Sequence, residues 1–289
     1  MGNISLFSFK GILFKAHWSL FLLCAYWIFR DNDPLRFRYN IAMSVLLFLT
    51  VCVHELGHAF TARAVGGKAH EIVLWPLGGL AYTSGHGTLH NQLKVTLGGP
   101  LTHIPLALLF LLPAVLIEKN FSWAMITPFF DQLPATNLWS AFAIIGTKMQ
   151  VIFFLFNLFV PAYPLDCGHV IVESMLIRGK SPEWTAKLII GLSAFTATVL
   201  CFAFHHYLIA AYILYSTWQL NEIRTKGQLA SHPLFHTAMN LPIGRWRQSS
   251  SHLKLVKKKS PDKKTCPSCL RELPPQAIMC GFCEKELPT

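Results

Sequence analysis

The chain has 289 residues, 53% of them hydrophobic and only 13% charged. An ordinary soluble protein carries about 25% charged residues. That deficit, with a mean hydropathy of +0.42, argues against a soluble enzyme and for a membrane protein. The net charge of +11 is uneven, since twelve of the 25 Lys and Arg lie after residue 221. A basic tail on an apolar body fits a cytoplasmic segment under the positive-inside rule. Nucleic acid ranks below the membrane as its partner.

Met1 to Phe14 carries Lys10 but neither a long apolar core nor a small-residue cleavage site, so no cleavable signal peptide is expected. Gly11 to Phe29 is the first candidate span, with Lys15 placed to snorkel to the interface and His17 to make a buried polar contact. A charged loop, 30–38, leads to a second span from about Tyr39 to Val65, closed by Gly66-Gly67. Its C-terminal half holds His54-Glu55-Leu56-Gly57-His58. Histidines four apart share one helix face, so both imidazoles can reach one ion. Glu55 projects about 100° from His54. This is the H-E-x-x-H zinc pattern, whose Glu is the general base of a metalloprotease. A chance match with histidines facing protein is the competing reading. It fits poorly with three ionisable side chains inside an apolar span, which are costly without partners.

Residues 68–92 are apolar and strand-like but broken by Pro76 and Gly78-Gly79, too interrupted for a span. They read as a hairpin or re-entrant segment beside the motif, or as an ordinary cytosolic loop. The third span, Leu93 to Ile117, opens with Gly98-Gly99-Pro100, where glycines permit close helix approach. The fourth runs from near Ala141 to about Val160, with Lys148 facing a polar partner or the interface, and Pro161 and Pro164 end it. After an amphipathic piece, 168–177, two more spans follow at 186–204 and 207–220. Six spans put both termini on one side, and the Lys/Arg count makes that side the cytoplasm.

A catalytic zinc has three protein ligands and one open position. Of five Asp, only Asp166 stands directly after an apolar span, behind Pro161 and Pro164. Backbone unwound by those prolines lets a short carboxylate point inward. An interfacial Asp that simply ends a helix is the alternative.

H-E-L-G-H in the second span, G-G-P in the third and the Pro161-x-x-Pro164-Leu165-Asp166 segment after the fourth resemble the site-2 protease family of intramembrane zinc metalloproteases, over about residues 11–220. The resemblance implies His54, His58 and Asp166 as zinc ligands, Glu55 as catalytic base, and a membrane-embedded site near the cytosolic face. It also implies a substrate-positioning role for Asn157. Three positions depart from the family. His103 stands where an Asn is usual, Asn157 precedes Pro161 by one residue too many, and Cys167 replaces a Gly after Asp166. Cys167 reads as a small residue filling that place, with a fourth soft ligand as the alternative.

At the end of the chain, Cys266-x-x-Cys269 and Cys280-x-x-Cys283 are ten residues apart. Four thiolates in two knuckles fit a closed structural zinc site, a small zinc ribbon. Two disulfides are the alternative, disfavoured in a reducing cytosol. The expected architecture is thus an all-α polytopic membrane domain over 1–221, a basic cytosolic linker over 222–264, and a ribbon over 265–289. The expected function is hydrolysis of a peptide bond in or near a transmembrane segment of a membrane protein, in a bacterial cell membrane. It would use one catalytic and one structural zinc, with a cytosolic protein partner for the ribbon. A non-catalytic membrane adaptor or metal sensor, and an ion transporter using the histidines, are the rival functions. An intact Glu55 speaks against both, since neither needs that base.

Overall fold

Residues 3 to 17 form a β-hairpin, whose second strand takes residues 12–17 from the start of the first expected span. The computed structural model describes residues 2–29, 33–128 and 134–239, with two short strands at 264–265 and 272–273. Strand β1 (Asn3–Phe9) pairs antiparallel with β2 (Ile12–His17). Lys10 and Gly11 join them, both at positive φ (48° and 72°), the conformation a two-residue hairpin turn requires. Burial in β2 alternates: Ile12, Phe14 and Ala16 are buried, their neighbours less so. That period of two, hidden in an apolar run, is the strand signal.

Helix α1 (Trp18–Phe29) therefore has only 12 residues. At 1.5 Å per residue it is about 18 Å long, short of a roughly 30 Å hydrocarbon core. The first expected span divides into a strand and this short helix. Helix α2 (Pro34–Ala64) has 31 residues and ends as expected, with Gly66 at φ 86° and the Gly67 N–H bonded to Ala62 O.

Strands β3 (Lys68–Trp75) and β4 (Gly78–Ser84) form the hairpin expected beside the motif. β3 also pairs in parallel with β2, giving one four-stranded sheet in the order β1-β2-β3-β4. The all-α expectation is corrected accordingly. The sheet has a packing reason: Ile12, Phe14, Ala16, Ile72 and Leu74 form one buried cluster with Cys52 and Ala59 of α2. Arg63 of α2 pins the sheet, donating to Lys10 O in the β1–β2 turn (2.6 Å) and to Ala69 O of β3 (2.7 Å). Lys15 does not snorkel; it pairs with Glu71 of β3 at 2.6 Å. His17 bonds Ser19 Oγ at 2.7 Å and stacks on Trp75.

The third span is two helices, α3 (Leu89–Leu101) and α4 (His103–Glu118), meeting at Thr102. The close approach expected of its glycines is made between Gly98 of α3 and Gly57 of α2. Helix α5 (Leu138–Phe159) starts at a capping box of Asn137 and Ser140 and stops before Pro161. Lys148 is buried and donates to Thr127 O at 3.1 Å. Helices α6 (Asp166–Ile177), α7 (Pro182–Phe202), α8 (Tyr207–Thr225) and α9 (Pro233–Met239) follow. Among the described residues, four helical stretches are long and apolar enough to cross a membrane: 37–64, 89–118, 138–159 and 182–202. This is an integral membrane protein.

The tail is a separate unit, residues 243–289. In it β5 (Lys264–Thr265) pairs antiparallel with β6 (Glu272–Leu273). The four cysteines expected to form the ribbon lie outside the described residues.

Candidate metal centre

The i, i+4 spacing on α2 brings His54 and His58 together as expected, with Nε2 atoms 3.1 Å apart. His58 Nδ1 donates to the Val95 carbonyl of α3 at 2.8 Å. A carbonyl only accepts, so the proton of that ring sits on Nδ1 and the Nε2 lone pair faces His54. Asp166 joins them from the start of α6. Its Oδ2 lies 3.1 Å from His54 Nε2 and its Oδ1 3.4 Å from His58 Nε2.

What turns Asp166 inward is the irregular stretch 160–165. The backbone of this stretch is not left bare. Ser193 Oγ of α7 accepts from Tyr163 N at 2.8 Å, and Thr196 Oγ1 of α7 donates to Pro161 O at 3.3 Å. Those two hydroxyls were not singled out from the sequence; serine and threonine inside an apolar helix were the available signal.

Glu55 is buried, 5% exposed, on the side of α2 that meets the sheet. Its carboxylate lies within 4.8 Å of both histidine ligand atoms. Strand β4 runs so close that a Cβ added at Gly79 would stand 2.7 Å from Glu55 Oε1. Asp166 thus touches both Nε2 atoms while Glu55 is held towards the strand.

The donor set fits a divalent metal. Two imidazole nitrogens and a carboxylate, 3.1 to 3.4 Å apart, match the ~3.3 Å edge of a tetrahedron with ligands at about 2.05 Å. Two imidazole nitrogens and an anionic oxygen converging on one point suit a divalent cation between them. Gly99 of α3 leaves the space for it: a Cβ there would run into Nε2 of both histidines.

Residues 42–201 match peptidase family M50, more than half of the chain and the whole of this centre. The chain belongs to peptidase family M50. It is 28% identical over 171 residues to a zinc metalloprotease of Methanocaldococcus jannaschii, covering 58% of this chain and 44% of that one. It is 30% identical over 126 residues to stage IV sporulation protein FB of Bacillus subtilis, covering 43% and 42%. The chain thus spans less than half the length of these two curated relatives. Its fold is similar to that of the site-2 protease from M. jannaschii, with a TM-score of 0.52 and 21% identity over 75% of this chain and 94% of that one. The resemblance read from H-E-L-G-H, G-G-P and P-L-D is borne out.

The three departures from the family pattern have distinct surroundings in this M50 chain. His103 is buried, and its Nε2 lies 3.0 Å from His54 Nδ1. Asn157 directs Nδ2 to Phe153 O of its own helix at 3.1 Å. Cys167 is buried on α6.

Proposed function

We propose that this chain is a zinc metallopeptidase that hydrolyses a peptide bond in or beside a transmembrane segment of a membrane protein. The observation that carries the reading is the convergence of His54, His58 and Asp166 with Glu55 held alongside by β4. His54 Nε2, His58 Nε2 and the Asp166 carboxylate would hold the zinc. The metal, when bound, supplies Lewis acidity towards a peptide carbonyl and lowers the pKa of a water. Glu55 accepts the proton of the attacking water and passes it to the leaving amide nitrogen. Asn157 stabilises the developing oxyanion through the Nδ2 hydrogen not used in its bond to Phe153 O.

A helical substrate hides its carbonyls in hydrogen bonds, so it must be extended before it can react. Strand β4 is the edge of the sheet and borders Glu55. A substrate segment added along that edge would present its carbonyl beside the base. With the four long helices as crossings, both termini fall on one side, and the basic tail makes that side the cytoplasm. It assigns a second zinc to Cys266, Cys269, Cys280 and Cys283 as a platform for a cytosolic protein. A bacterial cell membrane as the setting is supported by the Bacillus subtilis relative.

The test is Glu55→Gln in the full-length protein. Gln keeps the shape of Glu and cannot take a proton. Cleavage should fall by about 10² to 10⁴ for loss of the general base, with zinc content unchanged. A Glu55→Gln protein that cut its substrate at the wild-type rate with zinc bound would end this reading.

A further inference from the structure

His54 is the one candidate ligand whose outward nitrogen meets another ring, and that ring is where the chain departs from its family. His54 Nδ1 lies 3.0 Å from His103 Nε2. His103 Nδ1 lies 2.8 Å from Gln150 Oε1 of α5, and Gln150 Nε2 donates to Thr50 Oγ1 of α2 at 2.8 Å. All of these groups are buried; His103 is 1% exposed, and Gln150 is fully buried. The chain of bonds leaves the centre on α2, crosses α4 and α5, and returns to α2 one helical turn before His54.

We infer that His103 is a positioning residue that, with Gln150, fixes the tautomer of His54 so that its Nε2 lone pair faces the metal. The inference rests on the proposed metal site. The argument is a proton count along the chain. An amide oxygen only accepts, so Gln150 Oε1 obliges His103 Nδ1 to carry the proton. The neutral ring then has its lone pair on Nε2 and accepts from His54 Nδ1–H. That leaves the proton of His54 on Nδ1 and its Nε2 free to bind.

The opposite polarity is equally well hydrogen-bonded and does the opposite. With the Gln150 amide turned over, its NH₂ would face His103 Nδ1. His103 Nε2–H would then donate to His54 Nδ1, and the His54 proton would move to Nε2, pointing into the centre. The cluster would be filled by a proton instead of a metal. The orientation in the structure, with Gln150 Oε1 towards His103 Nδ1 and Nε2 towards Thr50 Oγ1, is the one that keeps the centre ready. His58 reaches the same end by a simpler route, since a main-chain carbonyl cannot be turned over. Metal-binding histidines generally have such a partner, and its loss typically costs 10- to 100-fold in affinity. Here the partner of one ligand is a ring whose own polarity must be set, and Gln150 sets it.

The experiment uses the full-length protein in detergent micelles, stripped of metal and titrated with cobalt(II) against a chelator. The d–d bands of the histidine–carboxylate centre are followed; thiolate charge-transfer absorption reports the tail cysteines separately. His103→Phe keeps a ring and removes the acceptor, and cobalt affinity should fall about 10- to 100-fold. His103→Gln restores a carbonyl acceptor and should recover affinity to within about threefold of wild type. Gln150→Leu leaves His103 unbiased and should weaken binding by a smaller factor, with a changed d–d spectrum. A merely structural His103 would not distinguish Phe from Gln in this order. Wild-type affinity in both His103→Phe and Gln150→Leu overturns the inference, as does His103→Gln binding no better than His103→Phe. If His103→Phe does not fold, Gln150→Leu alone decides it, unchanged affinity counting against. A protein carrying Cys266→Ser and Cys269→Ser that shows no d–d bands would instead overturn the metal site itself.

Discussion

Gly79 offers a test of the base that leaves both the base and the proposed ligands in place. In Gly79→Ala, the new Cβ would stand 2.5 Å from Glu55 Cγ, 2.8 Å from Cδ and 2.7 Å from Oε1. Ordinary contact begins near 3.4 Å, so the Glu55 side chain must retreat by about 0.9 Å, or the strand must. The strand is tied to β3 along its length, with Leu74 paired to Gly79 and Trp75 to Gly78. Gly79 itself is not one of the positive-φ glycines, so alanine adds no backbone strain there. The movement therefore falls mainly on the carboxylate. A misplacement of about 1 Å in a reacting group costs on the order of 10²-fold, equivalent to about 2.7 kcal/mol in activation free energy. The assay is turnover of a membrane-protein substrate co-reconstituted with the enzyme, alongside zinc content and thermal stability of the same preparation. Zinc should stay at the wild-type level, because His54, His58 and Asp166 are untouched. Wild-type turnover in a folded, zinc-loaded Gly79→Ala protein would refute the claim that β4 holds Glu55 in its working position.

Asp166→Ala should differ from Glu55→Gln by losing zinc as well as cleavage. Zinc content measured after dialysis against a weak chelator separates the two, and full retention of metal would remove Asp166 from the ligand set. Changing Cys266 and Cys269 together to Ser should lower the zinc content of purified protein by about one equivalent. Cleavage of a membrane substrate should persist, because the proposed catalytic ligands all lie in the other unit of the chain.

Much of the centre was legible in the sequence because its parts are local. His54 and His58 are brought together by helical periodicity alone, which no distant residue need enforce. The ends of α2 and α5 were marked by Gly66-Gly67 and by Pro161, each acting on its own neighbourhood. The β3–β4 hairpin was one of the readings that Pro76 and Gly78-Gly79 left open; Pro76 falls in its turn and the glycines open β4. Only tertiary structure decided the rest. Residues 12–17 are apolar enough for either a helix or a strand; they became a strand because β3 lay open to pair with them and α2 offered a face to cover. Asp166 is a plausible helix-ending residue until Ser193 and Thr196 secure the backbone before it and turn it onto the histidines. The His54–His103–Gln150–Thr50 chain joins residues 49, 47 and 100 positions apart. No periodicity or spacing encodes such contacts. They exist because packing α2, α4 and α5 leaves buried polar groups that must find one another, and the cost of leaving any of them unpaired selects that arrangement.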